Sequence, residues 1–121
     1  MWIYRQSTGE FFDPTGALID KGYSGLGVGK NNFQDQTMIG VGPLPRGSYN
    51  IGEAVEGTKL GPYALPLYPT PDHPMFGRSG FFIHADSLNH PGQASEGCIV
   101  LSTNTRIAII NSHDNKLYVI Q

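Results

Sequence analysis

Apolar residues occur along this chain in short runs that are separated by turn-forming residues. The first runs cover residues 2–5, 10–12 and 17–20, with an Asp-Pro-Thr-Gly turn at 13–16, and a last run covers residues 116–120. Runs this short, interrupted by turn signals at intervals of under about ten residues, are typical of small all-β domains. We therefore predict a strand over each of these four runs.

The second half of the chain predicts more strands and a single helix. Apolar runs at 48–53, 81–84 and 97–101 read as strands, the last two of them buried. Ser102 can cap a helix that continues to about Asn111, since serine is a favoured residue at helix N-termini. The predicted fold is mainly β, with one short helix near the C-terminus.

Two glycine-rich segments do not follow the simple strand pattern. Gly25, Gly27 and Gly29 alternate, so in a strand they would share one bare face that lets another backbone approach closely. A phosphate-binding loop fits poorly, because Ser24 stands where that motif needs a glycine. Residues 54–80 are rich in glycine and proline and are predicted to form a loop-rich excursion, a lid or a wall of the substrate site.

Composition narrows the class of protein. The 121 residues carry a net charge of −2, and only 15% are charged, against roughly 25% in an average domain. We expect one domain over residues 1–121 and no nucleic-acid binding, which needs clustered lysine and arginine. We also expect no membrane span and no signal peptide, since no run approaches about 18 apolar residues and the N-terminus lacks a basic segment followed by an apolar one.

The only cysteine supplies the most specific chemistry. Cys98 follows a glycine, and His84 ends an apolar run 14 residues earlier. A thiolate that attacks a carbonyl needs a nearby base and donors that hold the oxyanion. A histidine at the end of one strand and a Gly-Cys turn at the start of another supply both. We therefore predict a cysteine acyl-transfer enzyme.

The spacing also resembles a known signature. His84 followed by Ser95-Glu96-Gly97-Cys98 is similar to the pattern of L,D-transpeptidases of the YkuD type, in which a histidine precedes Ser/Thr-His-Gly-Cys by about fifteen residues. Further stretches resemble the small subgroup of these enzymes that serve as type VI secretion effectors; they are 23–25, 31–32, 42–49, 75–80 and 95–99. The chain departs from the general pattern where Glu96 replaces the second histidine and where Val100 replaces an arginine common after Gly-Cys-Ile.

The resemblance implies a reaction and a set of roles. It implies an L,D-transpeptidase-like β-sandwich or barrel that acts on peptidoglycan tetrapeptide stems, as an L,D-carboxypeptidase, an L,D-transpeptidase or both. Cys98 would attack the carbonyl before the terminal D-alanine, and His84 would move the proton. The N–H groups of Gly97 and Cys98 would face the oxyanion. Asp86, Ser95 or a backbone carbonyl would orient His84, and no cofactor or metal is expected.

Substrate contacts and partners follow from the same resemblance. Arg78, Arg106 or Arg46 is the expected substitute for the missing arginine, and Tyr23 is a further substrate-binding residue. Glu96 is expected to point outward, because a negative charge beside the thiol opposes its ionisation. The implied partners are peptidoglycan stems, a secretion apparatus and an immunity protein. The protein would be made in the cytoplasm and act in the periplasm of a target bacterium.

Three alternatives remain open from the residues alone. A sortase also places histidine before cysteine, with arginine some eight residues later, where Arg106 stands; its histidine lies much farther upstream. A zinc-dependent peptidoglycan hydrolase would draw its ligands from His84, Asp86, His90 or Cys98, whose spacing fits no familiar zinc motif. A non-catalytic cell-wall binding module would keep its affinity for peptidoglycan after loss of the thiol.

Overall fold

A computed structural model of the chain describes residues 1–56 and 60–121. In this part of the chain nine short strands form one sheet, and a single α-helix precedes the last strand. The elements are β1 (Trp2–Arg5), β2 (Glu10–Phe12), β3 (Leu18–Lys21), β4 (Tyr23–Ser24), β5 (Gly47–Ile51), β6 (Leu65–Pro69), β7 (Phe81–His84), β8 (Ile99–Val100), α1 (Thr103–Ser112) and β9 (Lys116–Ile120). The predicted mainly β fold with one short helix near the C-terminus is confirmed.

The order of the strands makes the sheet curl into a nearly closed barrel. The order is β3-β2-β1-β9-β5-β6-β7-β8-β4, with parallel pairs β1–β9 and β7–β8 and antiparallel pairs elsewhere. The two outermost strands, β3 and β4, are consecutive in the chain and are joined through Gly22 alone. Curvature brings these edges together and leaves few unpaired backbone groups at the rims.

Alternation along the strands builds the core inside this curved sheet. In β1, Trp2 and Tyr4 are buried while the residues between and after them are partly exposed. In β9, Leu117 and Val119 are buried in the same way. Period-2 alternation is the pattern of strands with one face turned to a core. Trp2 and Phe11 stack with ring centroids 5.6 Å apart, which ties β1 to β2.

The helix α1 begins where the sequence predicts. The Ser102 side chain accepts a hydrogen bond from the Thr105 N–H at 3.3 Å, as an N-cap does. Asp20 of β3 accepts from the Ser102 N–H and from the Thr105 hydroxyl, at 2.9 and 2.8 Å. His113 ends the helix in the left-handed conformation with φ of 59°. The cap and the carboxylate together fix the helix start against the sheet.

The structure differs from the sequence prediction in two segments. The predicted strand over the alternating glycines is wrong: Gly27–Gly29 form a 3₁₀ turn, because Gly25 and Gly27 have φ of +99° and +58°. Close approach is nevertheless present, since a Cβ on Gly29 would lie 2.1 Å from the Val41 carbonyl oxygen. The predicted excursion over 54–80 contains β6, which lies between β5 and β7. Residues 57–59 of that excursion lie outside the described residues.

Candidate active site

The histidine ends β7, and the cysteine immediately precedes β8, the parallel neighbour of β7. His84 pairs with Val100 of β8, and Cys98, two residues before Val100, lies beside Phe82, whose N–H donates to its Sγ. Strand spacing and a two-residue offset put the Cα atoms of His84 and Cys98 roughly 8 Å apart. The sheet thus places the two residues on neighbouring segments of the chain.

The Cys98 thiol is half-buried at one end of this pair. Its Sγ accepts a hydrogen bond from the Phe82 N–H at 3.3 Å. It opens into a cavity of about 320 Å³ whose wall includes Arg78 and Glu96. Burial raises the pKa of the thiol and Glu96 adds to the rise, while the Phe82 N–H and Arg78 act against it. The resting site therefore holds a neutral thiol.

The His84 ring is held in the form that accepts a proton. It is only 3% exposed, and its Nδ1 lies 2.7 Å from the Ala85 carbonyl oxygen. A carbonyl can only accept, so Nδ1 donates and Nε2 keeps the free lone pair in the neutral ring. Burial lowers the pKa of His84, and the charge of Arg106 lowers it further. His84 lines a second cavity, of about 440 Å³, which Cys98 does not line.

Asp86 and Ser95, the predicted side-chain partners of His84, have other partners in the structure. Asp86 accepts from the Tyr23 hydroxyl at 2.5 Å and from the N–H groups of Ser87 and Gly92. These bonds order the loop that follows β7. Their geometry is that of an aspartate satisfying turn amides. Of the three predicted orienting groups, the backbone carbonyl is the one that contacts the ring.

Ser95 instead shapes the turn that carries the cysteine. Its Oγ accepts from the N–H groups of Gly25 and Gly97, each at 3.0 Å, and donates to the Cys98 carbonyl oxygen at 2.5 Å. The Gly97 N–H was one of the two predicted oxyanion donors, but in the structure it is already bound to Ser95. The Cys98 N–H has no acceptor in the described part of the chain and is the group that an oxyanion could meet.

A glycine is required before the cysteine on steric grounds. Gly97 has φ of +143°, and a Cβ at this position would lie 2.5 Å from Nη2 of Arg78 and 2.6 Å from the Phe81 ring. Buried Ser24 holds the same residue from the other side: its hydroxyl donates to the Gly97 carbonyl and accepts from the Leu44 N–H, both at 2.8 Å. Sequence reasoning gave Ser24 no role of its own.

Arg78 is bound to the backbone, which differs from the predicted contact with substrate. It is 5% exposed, and its two Nη atoms donate to four carbonyl oxygens, at 2.7 to 3.1 Å. The acceptors are the carbonyls of Gln36, Gly42, Pro43 and Glu96. The guanidinium therefore ties the 36–43 loop to the Gly-Cys turn and acts as a positioning residue.

The other two predicted substrate-binding residues also have internal partners. Arg106 is 1% exposed and donates to the carbonyls of Leu101 and Pro62 and to the Thr103 hydroxyl. The Tyr23 hydroxyl, which donates to Asp86, accepts from the Ala94 N–H at 2.9 Å. Burial, followed by the bond to Asp86, raises the pKa of Tyr23 to about 12. Both residues line a shallow cavity beside the His84 site.

The charge states of the pair predict a specific pH profile. We expect kcat/KM for cleavage of the amide bond to remain at its maximum at pH values below 6.5, the ordinary pKa of histidine. Burial lowers the pKa of His84, so the ring stays neutral down to lower pH. We expect iodoacetamide alkylation of Cys98 to have its midpoint above about pH 8.5, because burial raises the pKa of the thiol. Stopped-flow alkylation and initial rates across pH measure both limbs.

The control for this profile is His84→Ala. Removing the base should abolish the acid limb of cleavage along with most of the rate. An acid limb centred above pH 6.5 in the wild-type protein would contradict the assignment of His84 as a neutral buried base. A thiol midpoint below about pH 8 would contradict the neutral resting thiol.

A mainly β fold with an imidazole at the end of β7 and a thiol just before β8 is compatible with cysteine-dependent acyl transfer. The family model described as the Tlde1 domain matches residues 19–120, and the chain belongs to that family. This is a family of type VI secretion effectors of the L,D-transpeptidase kind, enzymes with a peptidoglycan-related activity. No significant match was found among curated proteins.

Two further observations concern groups that the structure describes. Within residues 1–56 and 60–121, no set of three or more His, Cys, Asp and Glu side chains is grouped so as to hold a metal ion. The helices in the same part of the chain are all too short or too polar to cross a membrane.

Proposed function

We propose that this protein is an L,D-carboxypeptidase and L,D-transpeptidase that cleaves tetrapeptide stems of peptidoglycan through Cys98. The observation that carries the proposal is that His84 ends β7 and Cys98 immediately precedes the neighbouring strand β8, in a chain of the Tlde1 domain family. The reaction breaks the amide bond between the third stem residue and the terminal D-alanine.

The acylation step uses the Cys98 thiol, the His84 ring and the Cys98 N–H. As Sγ of Cys98 bonds to the stem carbonyl carbon, the thiol proton passes to Nε2 of His84. The carbonyl oxygen becomes an oxyanion that the Cys98 N–H can bind. When the C–N bond breaks, the His84 proton goes to the departing amine, and D-alanine leaves a thioester on Cys98.

Deacylation runs the same proton path in reverse. Water or an amine loses a proton to His84 and attacks the thioester carbonyl. The C–S bond breaks, and Cys98 recovers its proton from His84. Water gives a tripeptide stem, which is carboxypeptidase activity. A D-amino acid or the amine of a second stem gives exchange or a cross-link, which is transpeptidase activity.

Mass spectrometry of muropeptides tests the proposal directly. Disaccharide tetrapeptide incubated with the pure protein should yield disaccharide tripeptide and free D-alanine, and added D-methionine should yield the exchanged tetrapeptide. Binding to sacculi without any product, retained in Cys98→Ala, would favour the wall-binding module. Activity that is lost on chelation and restored by zinc would favour the hydrolase.

We also propose that the protein acts in the periplasm of a neighbouring bacterium after type VI secretion, with an immunity protein that protects the producer. Membership of an effector family supports this proposal. Expressed in a Gram-negative host with an added export signal, the protein should slow growth and deform cells. Without the signal it should be nearly harmless, because polymerised peptidoglycan is absent from the cytosol. Growth curves and microscopy measure both.

The matched control for toxicity is the exported Cys98→Ala protein, which should be harmless. Equal toxicity with and without export would contradict a periplasmic target. Toxicity that persists in exported Cys98→Ala would show that harm comes from something other than acyl transfer.

A further inference from the structure

Glu96 places an unpaired negative charge at the mouth of the Cys98 cavity. Its side chain is exposed and lines that cavity. Its backbone carbonyl accepts from Nη2 of Arg78 at 3.1 Å, which anchors the main chain at this position. In the described part of the chain the Glu96 carboxylate meets no cation: the ion pairs there involve Asp114 and Glu10.

Arg78 is the other ionised residue in the wall of this cavity, and the N–H groups on its Nη atoms are not available to a ligand. Both Nη atoms of Arg78 are engaged by backbone carbonyls, and the guanidinium stacks over Phe81 with 5.2 Å to the ring centroid. The remaining named wall residues from 77 to 81 are glycines, a serine and a phenylalanine. A charged ligand that enters beside Cys98 therefore meets Glu96 as the ionised group that is free to bind it.

This charge has a cost for the resting enzyme. A carboxylate near the nucleophile disfavours the thiolate, and Glu96 contributes to the raised pKa of Cys98. Glutamine at this position would keep the shape without the charge. A cation bound beside Glu96 would remove the opposition to ionisation at the moment when the substrate arrives.

We propose that Glu96 is a specificity residue that binds an ammonium group on the acyl donor, namely the side-chain amine of the third stem residue. This inference rests on the proposed function. That residue carries the carbonyl which Cys98 attacks, and in stems whose third residue is a diamino acid its side chain supplies an amine. Glu96 precedes Cys98 by two residues, a span of at most about 7 Å, which is within reach of such a side chain.

The cavity beside His84 indicates which part of the substrate Glu96 binds. That part is the acyl donor, and not the leaving group or the acceptor. His84 gives its proton to the departing amine and later takes one from the incoming nucleophile, so both must lie beside its ring. The His84 ring lines the cavity of about 440 Å³, and Glu96 does not line that cavity. Glu96 therefore binds the part of the stem that becomes the thioester. It favours stems whose side-chain amine is free over stems in which this amine is already acylated in a cross-link.

The first test compares two tetrapeptide stems in hydrolysis, with no added amine acceptor. One has a free amine on its third residue, and in the other this amine is acetylated. We expect wild-type kcat/KM for D-alanine release to be about fivefold higher for the free amine, the size typical of a partly exposed ion pair. Glu96→Gln should abolish this preference. Glu53→Gln, the same change at an exposed glutamate on a different cavity, should keep it.

The second test measures the attraction for a cation without any turnover. Cys98 is modified with 2-aminoethyl methanethiosulfonate, which is cationic, and with methyl methanethiosulfonate, which is neutral. The ratio of the cationic to the neutral rate should fall about two- to fivefold in Glu96→Gln and stay at its wild-type value in Glu53→Gln. A purely structural effect of Glu96 would change both rates together and leave their ratio in place.

The outcomes separate failure of this inference from failure of the proposed function. An active wild-type enzyme that treats both stems alike, or a preference that persists in Glu96→Gln, would overturn the role of Glu96 and leave the cysteine mechanism standing. An unchanged rate ratio in Glu96→Gln would overturn it as well. Absence of D-alanine release from every stem would overturn the proposed function and this inference with it.

Discussion

The Cys98→Ala protein is expected to lose D-alanine release by more than about a thousandfold while it keeps its fold. Cys98 is the only thiol of the chain, so no other residue can form the thioester. Removal of an enzymic nucleophile can cost as much as about 10⁶ in rate. The thiol is half-buried and accepts one weak hydrogen bond, so stability should change by no more than about 1 kcal/mol. Release assays and urea unfolding measure the two effects.

Cys98→Ser is the informative companion. A serine hydroxyl has nearly the same shape, but with a neutral imidazole as the only base it should be a far poorer nucleophile than a thiol. Stopped acylation in both variants, each with a wild-type unfolding midpoint, would fit the covalent mechanism. D-alanine release by folded Cys98→Ala at more than a few per cent of the wild-type rate would falsify it.

Arg78→Gln is expected to destabilise the protein by about 3 to 5 kcal/mol. The arginine supplies donors to four backbone carbonyls, and glutamine cannot replace them all. Each buried acceptor left without a donor costs about 1–3 kcal/mol, less where water can enter. A domain of this size has a free energy of unfolding of roughly 5–15 kcal/mol, so the loss is a large share. Urea denaturation measures it.

Two further variants sharpen this prediction. Arg78→Lys keeps the charge but not the planar fork, so it should recover only part of the lost stability. Arg46→Gln, at an exposed arginine, should change the free energy of unfolding by less than about 0.5 kcal/mol. An effect of Arg78→Gln below about 1 kcal/mol would contradict the positioning role.

Local signals predicted much of the sheet. The α1 start followed from Ser102, and the strand over 116–120 followed from its alternation, because both depend on neighbours in the chain. The strand β6 was not predicted, since Pro66 and Pro69 argue against a strand and only its two neighbours, β5 and β7, hold it in place. The 3₁₀ turn at Gly27–Gly29 likewise depends on packing against Val41.

In the site, too, some features could be predicted from the local sequence and others depend on the fold. Cys98 and His84 were predicted from residue type and spacing, and the structure has His84 at the end of β7 and Cys98 just before the neighbouring strand β8. The Ala85 carbonyl and the Phe82 N–H were beyond sequence reasoning, because every residue has such groups and only the fold selects between them. Arg78 was expected to meet substrate, yet a charged side chain can equally satisfy buried carbonyls, and its sequence context does not distinguish the two.

The position of β9 has a consequence for how the chain reaches its native state. Residues 116–120 pair with β1 on one side and with β5 on the other, so they lie inside the sheet. During synthesis the two halves of the sheet cannot be joined before these residues have left the ribosome. Pairing between such distant segments makes folding slow, on the millisecond-to-second scale. A protease cut before residue 116 would therefore leave β1 and β5 with unpaired edges. Such edges pair with other chains, so we expect the fragment to aggregate and not to persist as a less stable enzyme.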